Sequence, residues 1–107
     1  MTKVTIYKNV KNECVGFKAF GHAGYAEEGE DIVCAGISVL TINTINSIEV
    51  LTDAKFTVDS DENDGSMNFK IQKSTRESTL LLEAMILGLE MMADNYSEYI
   101  DLKFREV

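Results

Sequence analysis

The spacing of apolar residues changes period four times along this chain, and each change marks the border of a secondary-structure element. Val4 and Ile6 alternate with polar neighbours, as a half-buried strand requires. After a polar turn from Asn9 to Glu13, Val15, Phe17 and Ala19 fall on one face of a second run. Cys14, Gly16, Lys18, Phe20 and His22 fall on the other, so the two runs predict a hairpin. From Ile32 the period becomes helical: Ile37, Leu40, Thr44, Ile48 and Leu51 form one stripe, and Asp31 stands where an N-cap belongs. Alternation returns at Phe56 and Val58 and again at Met67, Phe69 and Ile71, around a polar turn ending in the hairpin signal Asp64-Gly65. Ser74-Thr75-Arg76-Glu77 has capping-box spacing, with Ser74 as the cap and Glu77 reaching back, and opens a helix to about Tyr96. Ile100, Leu102 and Phe104 close the chain as a last strand. The order ββαββαβ predicts an α+β fold, a two-layer sandwich with two helices on one face of a mixed sheet.

The second helix is apolar on two sides. Leu80, Ala84, Leu87 and Met91 form one stripe; Leu82, Met85, Leu89 and Met92 form another. One stripe covers the sheet, and the other needs a neighbouring helix or a second subunit. The 107 residues make a single domain, 1–107, large enough for a core without metal or disulfide staples. No repeat or linker interrupts it, and the absence of proline leaves the turns to Gly, Asn and Asp.

The formal net charge of −8 argues against direct nucleic-acid binding, which Lys and Arg clusters drive; it either suits a basic protein partner or serves only to keep the chain soluble. The N-terminus lacks the apolar run of a signal peptide, and no later segment reads as long and apolar enough to span a membrane. Two cysteines and no targeting segment predict an intracellular, cytoplasmic protein with free thiols. The acidic turn Asp59 to Gly65 is not a calcium loop, because the sixth and twelfth positions are Asp64 and Lys70 rather than Gly and Glu. One His and two scattered Cys do not make a zinc set, so neither metal nor cofactor is expected.

The chemistry concentrates in the stretch from Gly21 to Ser38. His22 is the only histidine, able to exchange a proton near neutrality, and Cys34 follows twelve positions later. With Asp31 as the cap, Cys34 falls near the third helical position, where free backbone N–H groups and the macrodipole favour a thiolate. Those N–H groups could also receive the oxyanion formed when a carbonyl is attacked. The glycine-rich segment from Gly21 to Glu30 reads as a loop able to fold His22 back toward the helix. Asp31 has a second reading as the group that orients the imidazole. Ser38, one turn beyond Cys34, shares its helix face. On residue type alone, a cysteine in a helix is more often a core residue than a nucleophile, and a histidine beside glycines is often only a loop residue. Cys14, early in a strand, reads as structural.

Gly21-His22-Ala23, followed by Asp31-Ile32-Val33-Cys34-Ala35-Gly36-Ile37-Ser38, resembles the two-part motif of the ribosomal-processing cysteine protease family, Prp, and the likeness extends over the whole chain. The resemblance implies a homodimeric cysteine endopeptidase. Its substrate would be the N-terminal extension of large-subunit ribosomal protein number twenty-seven. It implies Cys34 as nucleophile and His22 as general base and acid; Gly21, Asp31 and Ser38 are motif positions in supporting roles. Gly36 departs from the alanine common in the family, a change that bears on helix stability more than on chemistry. Two other readings make different predictions. A non-catalytic acidic dimer that binds a basic ribosomal partner would leave that partner uncut. A thiol redox sensor would need Cys14 as resolving thiol, which its strand position opposes.

Overall fold

The computed structural model describes residues 1–20, 28–61, 63 and 65–107, with backbone alone over 28–31. The elements follow the expected order: β1 (Thr2–Lys8), β2 (Cys14–Phe20), α1 (Glu28–Leu51), β3 (Lys55–Asp61), β4 (Ser66–Lys73), α2 (Arg76–Asn95) and β5 (Ile100–Glu106). The sheet order is β3-β4-β2-β1-β5; only the β1–β5 pair is parallel. Both helices lie on one face. Val4 and Ile6 from β1, Phe17 and Ala19 from β2, and Phe69 from β4 are buried against Val33, Ile37 and Ile48 of α1 and Leu82, Met85, Ile86 and Leu89 of α2. Phe69 sits at the centre of this layer, stacked on Phe17 at 5.2 Å between ring centroids and tilted against Phe56 at 5.1 Å.

Local chemistry shapes the turns. Asn9 closes the β1–β2 connection by accepting at its Oδ1 from the backbone N–H groups of Lys11 and Glu13, and Asn12 takes the left-handed conformation (φ 62°) that asparagine tolerates. Gly65 supplies a second positive φ among the described residues, 71°, at the β3–β4 turn. The buried threonines of α1 need no tertiary partner, because Thr41 and Thr44 donate their hydroxyl protons to the carbonyls of Ile37 and Leu40.

The structure corrects several sequence expectations. Alternation assigned Cys14 to the outer face, yet it is buried in the core. Tyr7 and Lys8 of β1 pair with Gly16 and Cys14 of β2, so Val15 is the extra residue of a β-bulge and every residue before it changes face. The cap of α2 is Thr75 rather than Ser74, and the box closes on Ser78, whose hydroxyl accepts from the Thr75 N–H at 2.8 Å, rather than on Glu77. Helix α1 begins at Glu28, so Asp31 is its fourth residue and not its N-cap. Glu28, Glu30 and Asp31 then fall in the first turn, where negative charge suits the macrodipole. Leu51 is 70% exposed, and the buried stripe ends at Ile48. A membrane-compatible segment does exist: residues Ile32–Leu51 are long and apolar enough by length and composition, with mean hydropathy 1.4. Their polar members are uncharged Ser, Thr and Asn apart from Glu49, and in the fold one side of this helix packs on the sheet.

The two helices approach through their glycines. Met92 of α2 lies over Gly36, where a Cβ would stand 2.8 Å from its terminal methyl, and Leu40 of α1 lies over Gly88. Gly16 is different in kind, because a Cβ there would stand 2.5 Å from the backbone oxygen of Phe69. Opposite outcomes follow in thermal unfolding. Gly36→Ala is expected to stabilise by about 0.5–1 kcal/mol, since helix propensity improves and the end of Met92 can swing aside. Gly16→Ala is expected to destabilise by roughly 1–3 kcal/mol, since a paired backbone cannot yield in the same way.

Candidate active site

Cys34 is the seventh residue of α1 and is half-buried. It faces the end of the sheet where β1 begins, and its Sγ lies 2.8 Å from Oγ1 of Thr2. Thr2 is 2% exposed and fixed by its own backbone, whose N–H donates to the Tyr99 carbonyl at 2.9 Å. Beside the sulfur is a cavity of about 180 Å³ lined by Thr2, Ala19, Ser38, Gly65 and Met67 among others. Three strand ends and one helix therefore meet at the thiol.

Ser38, one turn beyond Cys34, opens onto this cavity as its spacing predicts. Cys34 itself stands more than one turn inside the helix, because α1 starts four residues earlier than an Asp31 cap implies. The free N–H groups of a helix start, and most of the macrodipole's effect, belong to the first turn. The oxyanion donors expected from an Asp31 cap are accordingly not the neighbours of this sulfur. Gly21 and His22 lie outside the described residues, as does the side chain of Asp31. Strand β2 nevertheless leads to the cavity: Ala19 lines it, and His22 is three positions further along the chain.

Thr2 is the site residue that sequence reasoning missed. The signal was present, since Thr2 continues the Val4–Ile6 alternation as a polar side chain on the core face, and such a residue needs a partner.

Cys14 is no rival nucleophile. Burial pushes its thiol above the ordinary range. Its hydrogen bond to the Gly16 carbonyl at 3.4 Å opposes that shift, Glu83 adds to it and Lys8 counters it. It stays a thiol where Cys34 faces a cavity.

A half-exposed thiol at the mouth of a cavity, near the strand that leads to the chain's only histidine, defines a candidate cysteine hydrolase site. Comparison with known proteins narrows this class. The family model described as cysteine protease Prp matches residues 1–101. The ribosomal processing cysteine protease Prp of Bacillus subtilis (strain 168) is 30% identical over 103 residues, 92% of each chain. Its namesake from Staphylococcus aureus (strain Mu50) is 30% identical over 106 residues, covering 98% of this chain and 100% of the relative. A crystal structure of the S. aureus Prp with a covalently linked product peptide superposes with a TM-score of 0.87 at 30% identity, over 98% of this chain and 100% of that one. A Streptococcus mutans crystal structure gives 0.90 at 34% identity, over 100% and 99%. The chain belongs to the cysteine protease Prp family and is a cysteine protease.

Proposed function

We propose that this protease removes the N-terminal extension of large-subunit ribosomal protein number twenty-seven, in the cytoplasm, with Cys34 as nucleophile and His22 as general base and acid. The observation that carries the reading is the placing of Cys34 against a cavity at the sheet end toward which β2 runs, in a chain whose residues 1–101 match the family model. Relatives named for ribosomal processing, and the S. aureus Prp structure with a substrate peptide (TM-score 0.91, 28% identity), support the substrate class.

The chemistry balances with these two groups and water. His22 takes the thiol proton, and the Cys34 thiolate attacks the scissile carbonyl. His22 returns the proton to the leaving amine as the C–N bond breaks. Water, deprotonated by His22, then cleaves the thioester and frees the sulfur. Thr2 lies against the sulfur and, with Ser38, lines the cavity in which this occurs. Incubating the protein with the ribosomal protein carrying its extension should lower the latter's intact mass by that of the extension. A partner that emerges whole would refute the assignment.

The same reading includes a homodimer. Val39 (70% exposed) and Ile42 of α1 and Leu80, Leu87 (71%) and Met91 of α2 leave the outer helix surface apolar, and a groove of about 430 Å³ runs between the helices along Gly36 and Gly88. A second copy would cover this stripe. Replacing both Val39 and Leu87 by Asp should halve the mass seen by light scattering without unfolding the monomer; a monomeric wild type would remove the dimer from the account.

A further inference from the structure

The acidic balance of the whole chain conceals how its cations are distributed. Strand registers place Lys3, Lys18, Lys70, Lys103 and Arg105 together on the sheet face opposite the helices. Lys103 and Lys18 flank Thr5 in one row, and Arg105, Tyr7, Gly16 and Lys70 form the next. Half of the chain's ten Lys and Arg thus share this one face, across four adjacent strands, and all five are exposed. The described carboxylates on this face are fewer and peripheral. Asp101 pairs with Lys103 at 3.5 Å, and Asp59 and Asp61 lie on the outermost strand β3. In sequence these cations are scattered singly, because strand alternation sends every second residue to this face.

Two further features of the same face point to a nucleic acid rather than to any polyanion. Aromatic side chains stand among the cations: Phe20, 39% exposed, beside Lys3, and Tyr7 beside Arg105. Opposite Tyr7 is Gly16, which has no side chain, and the space left is part of a cavity of about 450 Å³ lined also by Asn68 and Lys70. The Asn68 Oδ1 atom is buried there without a hydrogen-bond partner among the described residues. An aromatic wall, an amide acceptor awaiting an N–H and a flanking ammonium group match the face, the edge and the phosphate of a nucleotide.

We propose that the uncovered sheet face binds single-stranded RNA, with phosphates along Lys3, Lys18, Lys70, Lys103 and Arg105 and a base held between Tyr7 and Asn68 over Gly16. A single strand can lay its unpaired bases on Tyr7, whereas a duplex keeps its bases stacked and paired inside. This surface is separate from the Cys34 cavity, and the inference does not rest on the identity of the protease substrate.

The test is fluorescence anisotropy with a labelled twelve-nucleotide single-stranded RNA at several salt concentrations, with duplex DNA of the same length and heparin as competitors. Neutralising four or five phosphates gives a slope of log K against log salt of about −3. Lys18→Glu with Lys70→Glu, both exposed positions, should weaken binding at least about tenfold. Tyr7→Leu, which keeps apolar bulk and removes the ring, should weaken it by about tenfold through lost stacking. Peptide cleavage and thermal unfolding of the lysine double variant should match the wild type. No binding at about 100 µM protein, the weak end of non-specific affinity, would overturn the proposal. So would binding indifferent to the lysine changes, or to Tyr7→Leu with heparin competing as well as RNA, which would mark a polyanion surface without base contacts.

Discussion

Replacing Cys34 by alanine should abolish peptide cleavage, lowering kcat by about a thousandfold or more while the fold and the thermal transition are retained. The side chain is half-buried beside a cavity, so losing one sulfur costs little packing while removing the proposed nucleophile. His22→Ala should cost a comparable factor, because a thiol without its base must rely on the small fraction already ionised at neutral pH. The sharper expectation concerns the two changes together. Residues that act as one unit are not additive, so the double variant should be no slower than Cys34→Ala alone. Independent multiplication of the two losses, measured by single-turnover cleavage of the extended ribosomal protein, would show that His22 acts apart from Cys34.

Phe69→Ala should produce the largest loss of stability in the molecule, about 3–5 kcal/mol. Its ring is fully buried, stacked on Phe17 and tilted against Phe56, at the middle of the layer that α1 and α2 cover. No neighbouring backbone can collapse into the space, because β4 is paired on both sides, to β2 and to β3. Against a total stability of roughly 5–15 kcal/mol, such a loss leaves the domain marginal or unfolded. Urea denaturation followed by circular dichroism measures it, and a loss below about 1 kcal/mol would contradict the placing of Phe69 at the core's centre.

The fold was largely legible because its elements are long and strictly periodic. Val4–Ile6, Phe17–Ala19 and Met67–Phe69–Ile71 alternate cleanly, and their order with two helical stripes leaves few arrangements of the sheet. What escaped depends on single-residue shifts or on tertiary context. The bulge at Val15 moves Cys14 to the other face without altering composition, and nothing local announces it. Ser74 and Thr75 are equally good caps by type, and Ser78 competes with Glu77 for the reciprocal bond. Helix α1 runs back to Glu28 because Asp31 can serve in a first turn as well as at a cap.

Of the candidate site, the sequence showed that Cys34 and Ser38 share a helix face but not the cavity they open onto. Cys34 and Ser38 meet at one cavity as their one-turn spacing requires, whereas Thr2 reaches the sulfur from a strand thirty-two positions away, through a sheet register that no local pattern encodes. The basic sheet face escaped for the same reason. Net charge is a sum over the chain, while recognition depends on which side chains a sheet gathers.

The most direct measurement is tandem mass spectrometry of the protein, acid-quenched during turnover of the extended ribosomal protein. A thioester-linked acyl group, with the mass of the released extension, is expected on the peptide containing Cys34, and none on the peptide containing Cys14. Cleavage with Cys34 unmodified at every quench time, and undiminished in Cys34→Ala, would contradict this.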